Sequence, residues 1–205
     1  MSIFIVRHGE TDLNATRVVQ LPETGLSVRG RAQAACVADR FAALGIARVL
    51  SSDLARAVET TAVIAARTGA PVTYEPTLRE RDFGDLRGTP YADLDVDIFA
   101  PDYIPPAGES WETFRERVAI AWEHILTAAR ATPGHLVVVT HGLVCHVLLD
   151  RHARCTGAVP LRWHNTSVTE LEHVPPWTAR VVNCTAHLGE SGGDGGATLA
   201  PASRV

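Results

Sequence analysis

Three short runs rich in β-branched residues, Ile3 to Val6, Arg48 to Leu50 and Leu136 to Val139, each break off into polar, reactive residues. Arg7-His8-Gly9-Glu10 follows the first, Ser51-Ser52-Asp53 the second and Thr140-His141-Gly142 the third. Between the runs lie alanine-rich segments with apolar residues at helical spacing, Val28 to Leu44 and Leu54 to Arg67. Trp111 to Arg130 predicts a further long helix, with Phe114, Val118, Trp122 and Ile125 near one face and Pro133-Gly134 ending it. Asp53 stands where an N-cap would open the helix over 54–67, Gly69 with Pro71 closes it, and Gly45 ends the helix before. Strands alternating with helices predict an α/β fold: a three-layer sandwich with a mainly parallel, buried central sheet flanked by helices.

Between Leu78 and Ser110 the pattern changes. Gly84, Gly88, Pro90, Pro101, Pro105, Pro106 and Gly108 punctuate a stretch with acidic and aromatic residues, which reads as an insertion or lid over about 84–110. With 205 residues in all, the chain suits a single domain over 1–188, followed by a Gly-rich C-terminal tail, 189–205, expected to be flexible.

Composition then removes whole classes of chemistry. All 19 of the Lys+Arg residues are arginine, so there is no lysine for Schiff-base catalysis or for a P-loop. Any anion must be met by Arg, His, backbone N–H groups or a metal. A net charge of -4 and a sequence pI near 6.1 give no electrostatic footprint for nucleic acid or an anionic membrane. Four cysteines without a CxxC pair support neither a zinc ribbon nor a redox dithiol, and nine histidines without ligand spacing call for no metal. No apolar stretch approaches the roughly 20 residues of a membrane span, and Met1 to Val6 runs into Arg7 without the layout of a signal peptide. The expected location is the cytoplasm, with free thiols, and a small soluble substrate fits this composition best.

Ligands of open α/β sheets bind beyond the carboxyl ends of the strands. The three strand ends therefore converge, bringing together Arg7, His8, Arg56 (one turn after Ser52) and His141. Two guanidiniums match phosphoryl oxygens bidentately, and a neutral imidazole can attack phosphorus. Taken singly, His8 reads as a strand-end histidine with a structural hydrogen bond, Arg56 as an exposed helix-start arginine and His141 as a core histidine; it is the set that points to chemistry. His146 and Cys145 read as packing residues.

The run Val6-Arg7-His8-Gly9-Glu10-Thr11 with Asn14 resembles the signature of the histidine phosphatase superfamily, the phosphoglycerate mutase-like proteins. Ser51 to Ala57, Leu78 to Gly84 and Thr140-His141-Gly142 resemble its second, third and fourth motifs, in the family's order, and Gly108-Glu109-Ser110 is also family-like. The resemblance implies that His8 is the nucleophile, that Arg7, Arg56 and His141 hold the transferring phosphoryl group, and that Glu80 is the proton donor. It also implies phosphate contacts from Asn14 and the Gly142 N–H, with no cofactor and no metal. Asp82, Asp85 and Glu109 are competing carboxylates in the same segment, Asp82 being the alternative acid. Two departures stand out. Gln20 is followed by Leu21 where many relatives have Gln-Gly, and Asp85-Leu86-Arg87-Gly88 stands where the third motif often has Trp before a glycine pair, so that Arg87 reads either as a contact to a second anionic group or as a surface charge. Where related mutases have Tyr, an Arg-Arg pair and a Lys, this chain has Phe83 and a short insertion without either. The expected activity is a metal-independent phosphatase acting on small phosphate monoesters through a phosphohistidine on His8. The alternatives are a cofactor-dependent phosphoglycerate mutase, a non-catalytic member that binds a phosphorylated ligand, and a metallohydrolase.

Overall fold

A computed structural model describes residues 1–189 and the short strand at 197–198; the tail expected to be flexible otherwise lies outside the described residues. The elements run β1 (Ser2–Arg7), α1 (Asp12–Ala15), α2 (Val28–Ala42), β2 (Ile46–Ser51), α3 (Ala55–Thr68), β3 (Val72–Tyr74), α4 (Trp111–Arg130), β4 (His135–Thr140), α5 (Gly142–Arg151), β5 (Arg162–Trp163), β6 (Val168–Glu172), β7 (Ala179–Cys184) and β8 (Ala197–Thr198). Six strands form one sheet in the order β3-β2-β4-β1-β6-β7. The first four are mutually parallel, while β6 and β7 add an antiparallel edge that none of the three sequence runs announced.

Side-chain alternation along the strands splits the interior into two layers. Ile3, Ile5, Leu50, Leu136 and Val138 pack with Phe114, Val118, Trp122 and Ile125 of α4 and with Leu148 of α5. Phe4, Val6, Val49, Val137 and Val139 face the other way, against Val37 and Phe41 of α2 and Ala57 and Ile64 of α3. The expected three-layer α/β sandwich is this arrangement. Each large side chain so buried contributes about 2 kcal/mol relative to exposure.

Helix ends follow local chemistry in most places. Ser27 and Ser110 accept the N–H groups of Gly30 and Thr113 at the starts of α2 and α4, and Gly69, at φ 71°, closes α3 in the left-handed region. The start of α3 departs from expectation: Leu54 is its N-cap, without a side-chain bond. Asp53 turns instead to Arg79, which donates from Nε at 2.6 Å and from Nη2. A paired guanidinium offers two charge-assisted hydrogen bonds where the helix end offers one N–H.

The segment between β3 and α4 is built of short 3-10 turns, at Gly84–Leu86 and Tyr91–Asp93 among others. It is pinned from within by Arg81, 2% exposed, whose guanidinium donates to the carbonyls of Ile98, Tyr103 and Glu109 and lies 4.4 Å from the centroid of Trp111. Gly84 is required here: its φ is 52°, and a Cβ would lie 2.0 Å from the Pro106 carbonyl oxygen.

Candidate active site

Strand pairing delivers the candidate residues to one edge of the sheet. Arg7 is paired with Thr140 and Val6 with Val139, while Ser51 lies beside Val139 on the other side of β4. The next residue along each strand continues the contact, since His8 N–H donates to Thr140 O and Ser52 N–H to Val139 O, both at 2.9 Å. His8 and His141 therefore meet, with ring centroids 5.1 Å apart, and both are fully buried. Gly9 lets the loop after β1 touch α2: a Cβ there would lie 2.6 Å from the Gly30 carbonyl oxygen.

The hydrogen bonds set the tautomer of His8. Its Nδ1 lies 2.7 Å from Gly9 O, an acceptor only, so Nδ1 carries the proton and Nε2 keeps its lone pair. Burial, then the nearby Arg56 and Arg7 guanidiniums, hold its pKa well below the usual histidine range. The ring is thus neutral at pH 7, with the lone pair on Nε2. His141 is held neutral in the same way, by burial, Arg56 and His8, and its Nε2 lies 2.8 Å from the Ser52 hydroxyl.

Two guanidiniums are buried beside these rings. Arg7 donates through Nη1 to the Trp163 carbonyl, and Arg56 through Nη1 to Leu21 O at 3.1 Å; the Nε of each has no partner. Burial, only partly offset by Glu80, lowers the Arg56 pKa to about 10. Two buried cations with unused donors form a site for a dianion.

Glu80 is half-buried, and its pKa is raised: desolvation outweighs the Leu143 and Arg81 N–H groups, which donate to its two oxygens at 3.2 and 3.0 Å. Asp82 is placed differently. It is 38% exposed, in an ion pair with Arg87 at 2.7 Å, and its Oδ1 also accepts the Gly84 N–H. Desolvation thus shifts Glu80 toward its protonated form.

Above them opens a cavity of about 750 Å³. Arg7, Asn14, Gln20, Arg56, Glu80, Arg87 and Gly142 all line it, and His8 and His141 sit next in sequence to the lining residues Arg7 and Gly142. The Asn14 carbonyl accepts from Asn165 Nδ2 at 3.3 Å, and that of Gln20 accepts the Thr11 hydroxyl at 2.7 Å, so each amide presents its NH2 as a donor. Gln20 thus reaches the cavity although Leu21 replaces the glycine that usually follows it. Gly142 opens α5, where a first-turn N–H has no intrahelical acceptor.

Several supporting residues escaped the sequence reading. Ser52 lay inside a recognised motif without an assigned role. Asn165, 2% exposed, donates to His8 O at 3.1 Å, and Trp163 supplies the carbonyl that orients Arg7. Both come from the stretch leading into β6, which carries no motif and no periodicity long enough to notice. His146 binds the Pro160 carbonyl, and the Cys145 thiol is buried with its pKa pushed up, in keeping with packing roles. Among the described residues, no group of three His, Cys, Asp or Glu side chains is placed to hold a metal ion, and no helix is long and apolar enough to cross a membrane.

Known proteins are similar to this chain. The chain is 36% identical to phosphoglycerate mutase-like protein 4 of Arabidopsis thaliana over 93% of this chain and 88% of that one. It is 31% identical to the probable phosphoglycerate mutase GpmB of Proteus mirabilis over 87% and 88%. Among solved structures, a mycobacterial glucosyl-3-phosphoglycerate phosphatase in complex with VO3 superposes with a TM-score of 0.77 at 26% identity, covering 90% of this chain and 99% of that one. A family model of the histidine phosphatase superfamily (branch 1) matches residues 3–184, the stretch that carries all four motifs and every site residue described above. The chain belongs to the histidine phosphatase superfamily.

Proposed function

We propose that the protein is a phosphatase that hydrolyses small phosphate monoesters through a phosphohistidine on His8, without a metal ion. The observation that carries this reading is the state of His8: neutral, fixed as the Nδ1–H tautomer by Gly9 O, and set beside two buried arginines with spare donors. A phosphate dianion fits those donors, and its negative charge repays the cost of burying Arg7 and Arg56 unpaired.

The steps balance as follows. Nε2 of His8 attacks phosphorus as the ester P–O bond breaks. Arg7, Arg56 and His141 stabilise the charge spread over the equatorial oxygens. Glu80 gives its proton to the departing alkoxide, which leaves as the alcohol. Water then attacks the phosphohistidine; Glu80 takes a proton from it, the P–N bond breaks and orthophosphate leaves His8 as it began. Asn14, Gln20 and the Gly142 N–H are neutral donors to the phosphoryl oxygens.

A cofactor-dependent phosphoglycerate mutase is the second reading, favoured by the names of the Arabidopsis and Proteus relatives. It asks for free cations around the mouth to hold a substrate carboxylate. Arg79, Arg87 and Arg117 stand there, and each is paired with a carboxylate. That favours water as the acceptor.

The test is a trapped phosphoenzyme. Brief reaction with a labelled monoester and acid-free quenching is expected to leave an acid-labile, base-stable label on residue 8, and His8→Ala is expected to lose label and turnover together. Label on serine or aspartate, or more than a few per cent residual turnover, would refute the route. Conversion of 3-phosphoglycerate to 2-phosphoglycerate outrunning phosphate release would select the mutase.

A further inference from the structure

We infer that the alcohol this site releases is uncharged and carries a ring or a comparable apolar body, and that Phe99 and the Asp82–Arg87 pair select for it. The inference rests on the phosphatase reading and narrows it to a class of substrate.

Size is the first argument. A cavity of about 750 Å³ is far larger than a phosphoryl group with a three-carbon chain requires, and lies within the roughly 300 to 1,000 Å³ of sites that enclose much bulkier molecules. The second is the wall. Phe83, Tyr91 and Phe99 line the cavity together, Phe99 standing edge-on to Phe83 and tilted against Tyr91, with centroids 6.1 Å apart in each case. Edge-on and tilted aromatic clusters leave ring faces and edges on which a further ring packs.

Charge is the third. Six arginines line the cavity, and of these only Arg7 and Arg56, on the phosphoryl side, keep a buried donor without a partner. Arg81 spends its guanidinium on three carbonyls. Arg79, Arg87 and Arg117 are engaged by Asp53, Asp82 and Glu109, and Glu23 adds a further carboxylate to the lining. A substrate bearing a second anionic group away from its phosphate therefore meets carboxylates whose counter-cations are already taken, which is selection by repulsion. A neutral, ring-bearing alcohol meets neither penalty and gains the aromatic wall.

The experiment compares kcat/KM of the full chain for benzyl phosphate, 4-carboxybenzyl phosphate and 3-phosphoglycerate; the two benzyl alcohols are similar leaving groups, so their difference reads recognition. Benzyl phosphate is expected to lead both by at least about tenfold. Asp82→Asn, which releases Arg87, is expected to narrow the gap to the carboxylated ester by about threefold. Phe99→Ala is expected to lower the ratio of benzyl phosphate to glycerol 1-phosphate by about tenfold, Phe99→Leu by less; a ratio within one variant is unaffected by any loss of folded protein. Equal or better use of the carboxylated esters, or an unchanged ratio in Phe99→Ala, would overturn the inference while leaving the phosphatase intact. No phosphate from any ester would overturn the phosphatase reading, and this inference with it.

Discussion

Arg117 of α4 grips both oxygens of Glu109, Nε to Oε1 at 2.8 Å and Nη2 to Oε2 at 2.7 Å, and spends its other donors on the carbonyls of Thr77, Arg79 and Glu80. Glu109 in turn accepts the Asp82 N–H at 3.0 Å. The pair thus braces the backbone on both sides of Glu80.

Cutting that brace has two readouts. Arg117→Ala leaves a carboxylate and three carbonyls without their donor, at a cost of about 2 kcal/mol in denaturant unfolding. If the brace also aims Glu80, the variant loses more rate with alkyl esters than with p-nitrophenyl phosphate. Equal losses on both would make Arg117 a folding residue alone.

Glu80→Gln separates proton donation from binding. Alkyl esters, whose leaving alkoxides need a proton, are expected to lose at least about a hundredfold in kcat, whereas activated aryl phosphates lose little. A uniform loss would show that Glu80 only positions the substrate and would turn attention to Asp82.

The pH profile has a defined sign. On the proposed route His8 must be neutral to attack, and its lowered pKa places the acid limb well below pH 6.5. On the same route Glu80 must be protonated, and its raised pKa carries the alkaline limb above that of an ordinary carboxylic acid. For alkyl esters kcat/KM is therefore expected to peak on the acid side of neutrality and to fall as pH rises. Aryl esters should lack the alkaline fall attributable to Glu80. An alkaline limb of equal depth for both ester types would contradict the assignment.

Stability follows the same histidines. His8 and His141 take up protons more readily unfolded than folded, so the stability they contribute is complete above the unfolded pKa near 6.5 and is lost as pH falls below it, by up to about 1.4 kcal/mol per pH unit for each ring. Urea midpoints measured from pH 7.5 to 5 should show this slope, and it should be shallower in His8→Asn.

Chelation offers a separate check. Activity is expected to survive exhaustive dialysis against EDTA, and vanadate is expected to inhibit by filling the dianion site. A strict need for added divalent metal would exclude the mechanism proposed.

The layered α/β architecture and the residues that gather in the candidate site were legible in the sequence because both are local. Alternating β-branched runs, alanine-rich helical spacing and four short motifs are read within a few residues of one another, and Arg7, His8, Arg56, Glu80 and His141 all lie in those motifs. What the groups can do was decided by tertiary structure. The protonation of His8 depends on burial and on Arg56, 48 positions away, and the backbone that presents it is held by Asn165, 157 positions away, on a segment without any signal. Asp53 had the look of a helix cap until folding placed Arg79 beside it. Desolvation and pairing are properties of what surrounds a side chain, and for these residues the surroundings come from strands and turns far away along the chain.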